Sequence, residues 1–198
     1  AEAMDSLANS IGAYYGFNPS GQFVMGRLEA PSGSSLLTIG EYYAGTDYER
    51  RPLKDLDIPV YKVAVKHSKM FTVQTDIAAA VSAVRKATIA QEYRTEVALD
   101  AGVQVRFQDA QIFTVETLLT TQANAATEAA RLLALHKVKR DAFEVPLPIA
   151  QVTAAGLKIG ACVTLQINRF GLNAGKLMRI IGIRTELSSN RAILTVWG

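Results

Sequence analysis

The chain has 198 residues, 49% hydrophobic and 20% charged, which is ordinary for a globular protein forming one large domain or two small ones. The formal net charge is +3, and its lysines and arginines are scattered, with the densest cluster at Lys137, Lys139 and Arg140. That pattern reads as a solvated face rather than a nucleic-acid-binding surface, and the lone Cys162 excludes an intrachain disulfide and makes an oxidised secreted scaffold an unsuitable class.

No run of about 18 apolar residues occurs, so no membrane span is expected. Residues 1–15 are amphipathic and carry Glu2 and Asp5, unlike a signal peptide. The opening Ala1-Glu2-Ala3-Met4 reads as that of a fragment of a longer protein, and the end on Trp197-Gly198 as a natural C-terminus. Met4, Leu7, Ala8, Ile11 and Tyr15 form one stripe of a helix over 3–15, with Gly16 as its stop. Gly21 opens a strand through Phe23 and Met25 to Leu28. Residues 30–35 read as a loop, as does much of 44–57, where charges and Gly45 break any period. A strand from Pro59 places Tyr61, Val63 and Val65 on one face. Asp76 caps a predicted helix with the stripe Ile77, Val81, Val84 and Thr88. Segments 92–99 and 103–108 alternate around Asp100-Ala101-Gly102, which predicts a hairpin.

The spacing then predicts a helix from about 115 to 136, capped by Thr114 and with Glu116 in its first turn. Leu119, Ala123, Ala126, Ala130 and Leu133 line one side, and Thr121, Asn124, Glu128 and Arg131 the other. An alanine-rich stripe lets a sheet or a second copy approach closely. The strand 143–149 follows, with Phe143, Val145, Leu147 and Ile149 on one face. Pro146 and Pro148 share the other and cannot donate to a ladder, so this strand is expected at an edge or bent. Over 161–168 the apolar Ala161, Val163, Leu165 and Ile167 alternate with Cys162, Thr164, Gln166 and Asn168. Two more strands follow, connected by turns at Gly171 to Gly175 and Ser188-Ser189-Asn190.

Converging acids, bases or ligands are not visible. His67 ends a strand, and His136 ends the long helix, where the dipole favours it. No metal-protease, redox-dicysteine, nucleophile-elbow or Walker motif occurs. Asp55 and Asp57 flank Leu56 beside Lys54 and read as a solvated pair. Glu92 and Glu96 fall on one face of a sheet and suit salt pairing. Cys162 lies on the polar face of its strand and reads as inert. Gly12, Gly16 and Gly21 follow a helix rather than a strand, so they are not a phosphate loop. Tyr14, Tyr15, Tyr42, Tyr43 and Tyr48, near Arg50 and Arg51, are the one constellation that would suit base or sugar stacking, against the commoner core and interface role. No catalytic, cofactor-binding or metal-binding residue is expected.

The C-terminal part resembles the C-terminal barrel of tail hub (baseplate hub) proteins of tailed bacteriophages. The matching residues are Leu157, Gly160, Val163, Arg169, Gly171, Leu172, Gly175, Arg179, Gly182, Ile183, Leu194 and Trp197. Ala161 stands where that pattern has Asp, so any turn role of the carboxylate is absent. The resemblance is most detailed over 115–198 and continues more weakly through 1–110, with the order of motifs as its signal.

The resulting expectation is an α+β chain. Residues 1–110 form an α/β subdomain of helix, strands, helix and hairpin; 111–198 form a long helix plus a small C-terminal β-barrel. The resemblance implies a virion tail component without enzyme activity or cofactor, assembled in the bacterial cytoplasm as a homotrimer and docked to neighbouring tail proteins. Tyr61, Lys62, Arg169, Phe170 and Trp197 are the expected interface residues, with Trp197 equally suited to plugging its own barrel. The competing readings are a nucleic-acid-binding module like an OB-fold, and a cell-wall hydrolase or carbohydrate-binding module. Specific nucleic-acid binding is not expected.

Overall fold

The computed structural model describes residues 2–17, 21–41, 48–51, 58–74 and 76–198. In chain order the described elements are α1 (Glu2–Ser10), β1 (Ala13–Phe17), β2 (Phe23–Arg27), β3 (Thr38–Gly40), β4 (Glu49–Arg51), β5 (Val60–His67), α2 (Ala83–Ile89), β6 (Arg94–Leu99), α3 (Ala101–Arg106), β7 (Gln111–Glu116), α4 (Gln122–His136), β8 (Ala142–Pro148), α5 (Ile149–Ala154), β9 (Cys162–Gln166), β10 (Lys176–Glu186) and β11 (Arg191–Trp197). The class is α+β. The chain divides into two compact units, Ala1–Leu28 with Ile58–Val138, and Glu29–Asp57 with Lys139–Gly198. The expected boundary at 110/111 falls inside the first unit, because β7 pairs there with β5.

In the first unit, α1 stops at Ser10, short of the expected Tyr15. Gly12 takes φ +58, a left-handed turn that glycine accepts without strain. Tyr15 therefore lies in β1, which pairs with β2 from Ala13↔Arg27 to Phe17↔Phe23. The helix expected from Asp76 begins later, where the Ser82 side chain accepts from the Arg85 amide. The hairpin expected at 100–102 is absent. Asp100 instead caps α3 by accepting from the Gly102 amide at 3.2 Å. The alternation over 103–108 had coincided with one short helix whose only buried residue is Val103.

The long helix also begins later than predicted. Thr114 and Glu116 belong to β7, where β-branched Ile112, Thr114 and Val115 suit a strand. Thr121 is the actual cap, accepting from the Asn124 amide at 3.4 Å. The buried stripe is Ala125, Ala129, Leu132 and Leu133, packed against Val60, Val63 and Val65 of β5. Ala123, Ala126 and Ala130 are exposed, and Glu128 is buried. The stripe is rotated from the predicted one because β5 sets which face is covered.

The second unit is built on a six-stranded sheet of order β3-β9-β10-β11-β8-β4, curled into a half-barrel. Only the β3–β9 pair is parallel. Its core collects Phe143, Val145, Leu147, Val163, Leu165 and Leu194. The apolar residues predicted to alternate in β8 and β9, Phe143, Val145, Leu147, Val163 and Leu165, with Ile167 just past β9, thus face the core. β4 pairs with β8 only over 142–144, so Pro146 and Pro148 sit where β8 outruns its neighbour. Strand β8 ends at Pro148, and Ile149 opens α5 rather than continuing the strand.

Candidate assembly surface

The first unit contains a three-stranded sheet of order β6-β5-β7. Its two faces differ. Val63 and Val65 of β5, Ala98 of β6, and Phe113 and Val115 of β7 meet α4. The alternate residues form the other face: Lys62 lies level with Leu99 and Ile112, Ala64 with Val97 and Thr114, and Lys66 with Thr95 and Glu116. Leu99 is 59% exposed, Ile112 52% and Val97 51%. Val97 and Leu99 thus stand exposed on one edge strand and Ile112 on the other, with Lys62 of the middle strand between Leu99 and Ile112.

One end of this face carries a polar cluster. The Lys66 Nζ donates to Glu116 Oε1 at 2.8 Å and the Tyr93 hydroxyl donates to Glu116 Oε2 at 3.1 Å. Lys69 Nζ stands 5.2 Å from the Tyr93 ring centre and 5.8 Å from that of Phe71. The Lys66 hydrogen bond holds Glu116 below the usual carboxylate range, with Tyr93 adding to it, and Glu116 in turn holds Lys66 above its ordinary value. A depressed carboxylate contributes stability above its unfolded pKa and loses it as pH falls through the folded value; the raised lysine loses its share only as pH rises through its own. Glu116→Gln is therefore expected to melt with a smaller drop between neutral and acid pH than the wild type. Equal drops would remove the pair from the account.

The sequence-predicted residues are dispersed. β5 advances from Val60 to Lys62 while β7 advances one residue, so Tyr61 is the extra residue of a bulge. Val60 joins Val63 and Val65 in the core against α4, and Tyr61, expected beside them from alternation, is half-buried outside that cluster. Lys62 lies on the middle strand of the open face, level with Leu99 and Ile112. In the second unit Arg169 is exposed and Phe170, at φ +55, is 55% exposed with its ring 5.6 Å from that of Phe143. Trp197 is 2% exposed, and the Arg140 guanidinium stands 4.9 Å over its ring.

Two polar anchors escaped sequence reasoning. Glu128 accepts from Arg27 at 2.5 Å and from Arg131 at 2.6 and 2.9 Å, while Arg131 also donates to the Leu28 carbonyl. Together they tie the β1–β2 hairpin to α4. Gly12 fits under Arg131, where any Cβ would collide with the guanidinium. Arg179 donates to the carbonyls of Gly160 and Ala30, fastening the segment after β2 onto β10. A buried charge amid a polar stripe leaves no periodic signal; the (i, i+3) spacing of Glu128 and Arg131 was the only trace.

The chemistry-bearing residues are mostly engaged locally. The Tyr15 hydroxyl donates to Asp5 at 2.6 Å, Tyr14 lies over Gly26, and Tyr48 packs on the second unit's core. Arg50 pairs with Asp141, and Arg51 with Glu144 at 2.9 Å. Tyr42, Tyr43, Gly45, Lys54, Asp55 and Asp57 lie outside the described residues. A groove on the second unit, over β4, β8, β10 and β11, alternates Arg51, Arg184 and Arg191 with Glu49, Glu144 and Glu186, a charge-balanced lining. His67 is buried, its Nδ1 paired with the Ser68 hydroxyl and its Nε2 3.9 Å from Glu96. Among the described residues no group of three or more His, Cys, Asp or Glu is placed to hold a metal, and no helix is long and apolar enough to cross a membrane.

No protein-family model matches the sequence, and no curated protein does. Solved structures do share the fold. A chain from the virion of a native gene transfer agent particle aligns over 98% of this chain and 37% of its own, with TM-score 0.57 and 14% identity. The tail protein from Neisseria meningitidis MC58 aligns over 96% of this chain and 52% of its own, with TM-score 0.56 and 14% identity. Prophage tail protein gp18 from Listeria monocytogenes EGD-e aligns over 100% of this chain and 52% of its own, with TM-score 0.51 and 12% identity. The chain thus spans between 37% and 52% of the length of these structures.

Proposed function

We propose that the chain is a structural component of a phage-type tail, at the hub, baseplate or tail tip, that acts by self-assembly and by docking to the tail tube rather than by turnover. The observation that carries this reading is the fold shared along nearly the whole chain with tail proteins and a virion component. The open sheet face around Lys62 supports it, since apolar residues held in water on a rigid sheet suit a permanent partner. The assembled form is a homotrimer in the virion tail, built in the bacterial cytoplasm, in which the curled sheet of the second unit serves as the small barrel. Tyr61 and Lys62 face a neighbour from the first unit and Arg169 and Phe170 from the second; Trp197, buried, fixes the end of β11 beneath that surface. Light scattering over a wide concentration range is expected to give a discrete trimer for the wild type. Tyr61→Asp is expected to give a monomer with an unchanged circular dichroism spectrum. A wild type that stays monomeric at every concentration overturns the reading.

A further inference from the structure

We infer that β7 of one copy of this chain pairs antiparallel with β6 of a second copy, joining the three-stranded sheets of neighbouring first units into one. This rests on the proposed self-assembly and names its seam. β6 and β7 are the two edges of one sheet. β6 runs antiparallel to β5 and β7 parallel to it, so the two edges point in opposite directions. Two copies in the same orientation therefore bring β7 of one beside β6 of the next as an antiparallel pair. The joint is head-to-tail, so an open row of copies keeps one free β6 and one free β7 at its two ends until a ring closes.

The register follows from the chain itself. Leu99 and Ile112 both lie opposite Lys62, so they stand level at the two edges. A level joint opposes Ile112 to Leu99, Thr114 to Val97 and Glu116 to Thr95 on the open face. On the helix side it opposes Phe113 to Ala98 and Val115 to Glu96. A slip by one residue would set open-face side chains against helix-face ones, which the pleat forbids. The apolar side chains left in water, Leu99, Val97 and Ile112, are those that the level joint covers. Neither strand carries proline or lysine, and their charged residues, Arg94 and Glu96 of β6 and Glu116 of β7, gather at one end of the level joint, away from Leu99 and Ile112. The occupant is a second copy because the complementary edge is carried by the same chain; a foreign strand would use one edge and strand the other.

The test is a disulfide across the seam in the double variant Leu99→Cys, Ile112→Cys. Opposed residues in an antiparallel pair stand about 4.5–5.5 Å apart at Cα, within disulfide reach. Within one copy β5 separates the two positions by two strand spacings, about 9.5 Å, too far for a bond. Cys162 is buried and does not compete. Oxidised glutathione is expected to give disulfide-linked multimers of the double variant and none of either single variant. The next rung, Val97→Cys with Thr114→Cys, is expected to link as well. Both pairs are checked for wild-type circular dichroism. Wild-type mass with no link in either pair overturns the seam and leaves self-assembly standing. Linking of the offset pair, Leu99→Cys with Thr114→Cys, in place of the level pairs overturns the register. A monomeric wild type overturns the seam and the self-assembly reading together.

Discussion

Glu128→Ala is expected to destabilise the first unit by about 3 kcal/mol, the lower end for breaking a buried ion pair by removing one partner. The side chain of Glu128 is 7% exposed and accepts from two guanidiniums, whose own side chains are 42% and 23% exposed for Arg27 and Arg131. Removing the carboxylate leaves two like charges facing one another beneath the hairpin. Arg131 keeps its bond to the Leu28 carbonyl and Arg27 its bond to that of Ile11, which caps the loss. The hairpin has few other ties, since Phe17, Phe23 and Met25 are 75%, 50% and 48% exposed. A two-stranded hairpin is marginal alone in water. Limited trypsin digestion at Arg27 is therefore expected to accelerate in Glu128→Ala, alongside the loss in urea midpoint. Unchanged cleavage and midpoint would mean that the hairpin is held elsewhere.

Trp197→Ala is expected to cost the second unit about 3–5 kcal/mol, the range for emptying a buried aromatic site. Trp197 pairs with Ala142 of β8 and with Arg179 of β10, so its loss opens a hole between two ladders. It also removes the ring on which Arg140 stacks. Trp197→Phe separates packing from polar effects. The indole Nε1 is buried with no hydrogen-bond partner among the described residues, so phenylalanine sheds an unsatisfied donor while keeping most of the volume. Its cost is expected to stay below about 1.5 kcal/mol. Urea denaturation measures both; equal losses would place the weight on the indole nitrogen rather than on packing.

The parts of the fold legible in the sequence were those where one face alone decides the pattern. In β8 and β9 Val145, Leu147, Val163 and Leu165 are buried in alternation, as predicted, because these strands cover a single core, although Cys162, expected on the polar face, is buried too. Elsewhere two signals overlapped. Thr114 and Glu116 resemble a helix start, yet they end a strand, and the same local cap chemistry recurs at Thr121. Sequence cannot choose between two such caps when β5 decides where β7 must stop. Asp100 likewise suits a hairpin turn and a helix cap, and only the parallel pairing of β5 with β7 selects the cap. The candidate surface was half visible: Lys62 was singled out, but Leu99, Val97 and Ile112 were not. Their role comes from lying level across strands far apart in sequence, a relation that no local period encodes.

The second unit has an unusual order of manufacture. Its sheet places β11 between β10 and β8, although β11 is the last of the described strands to be synthesised. β3 and β4 emerge first, yet among the described strands they pair with β9 and β8, which follow the whole of Ile58–Val138. During synthesis, at roughly 5–20 residues per second, those early strands wait several seconds for their partners. The sheet itself stays split into β9–β10 on one side and β8 on the other until residues 191–197 leave the ribosome. The nascent chain thus holds unpaired strands until residues 191–197 are made, and deleting those seven residues removes the keystone of the sheet.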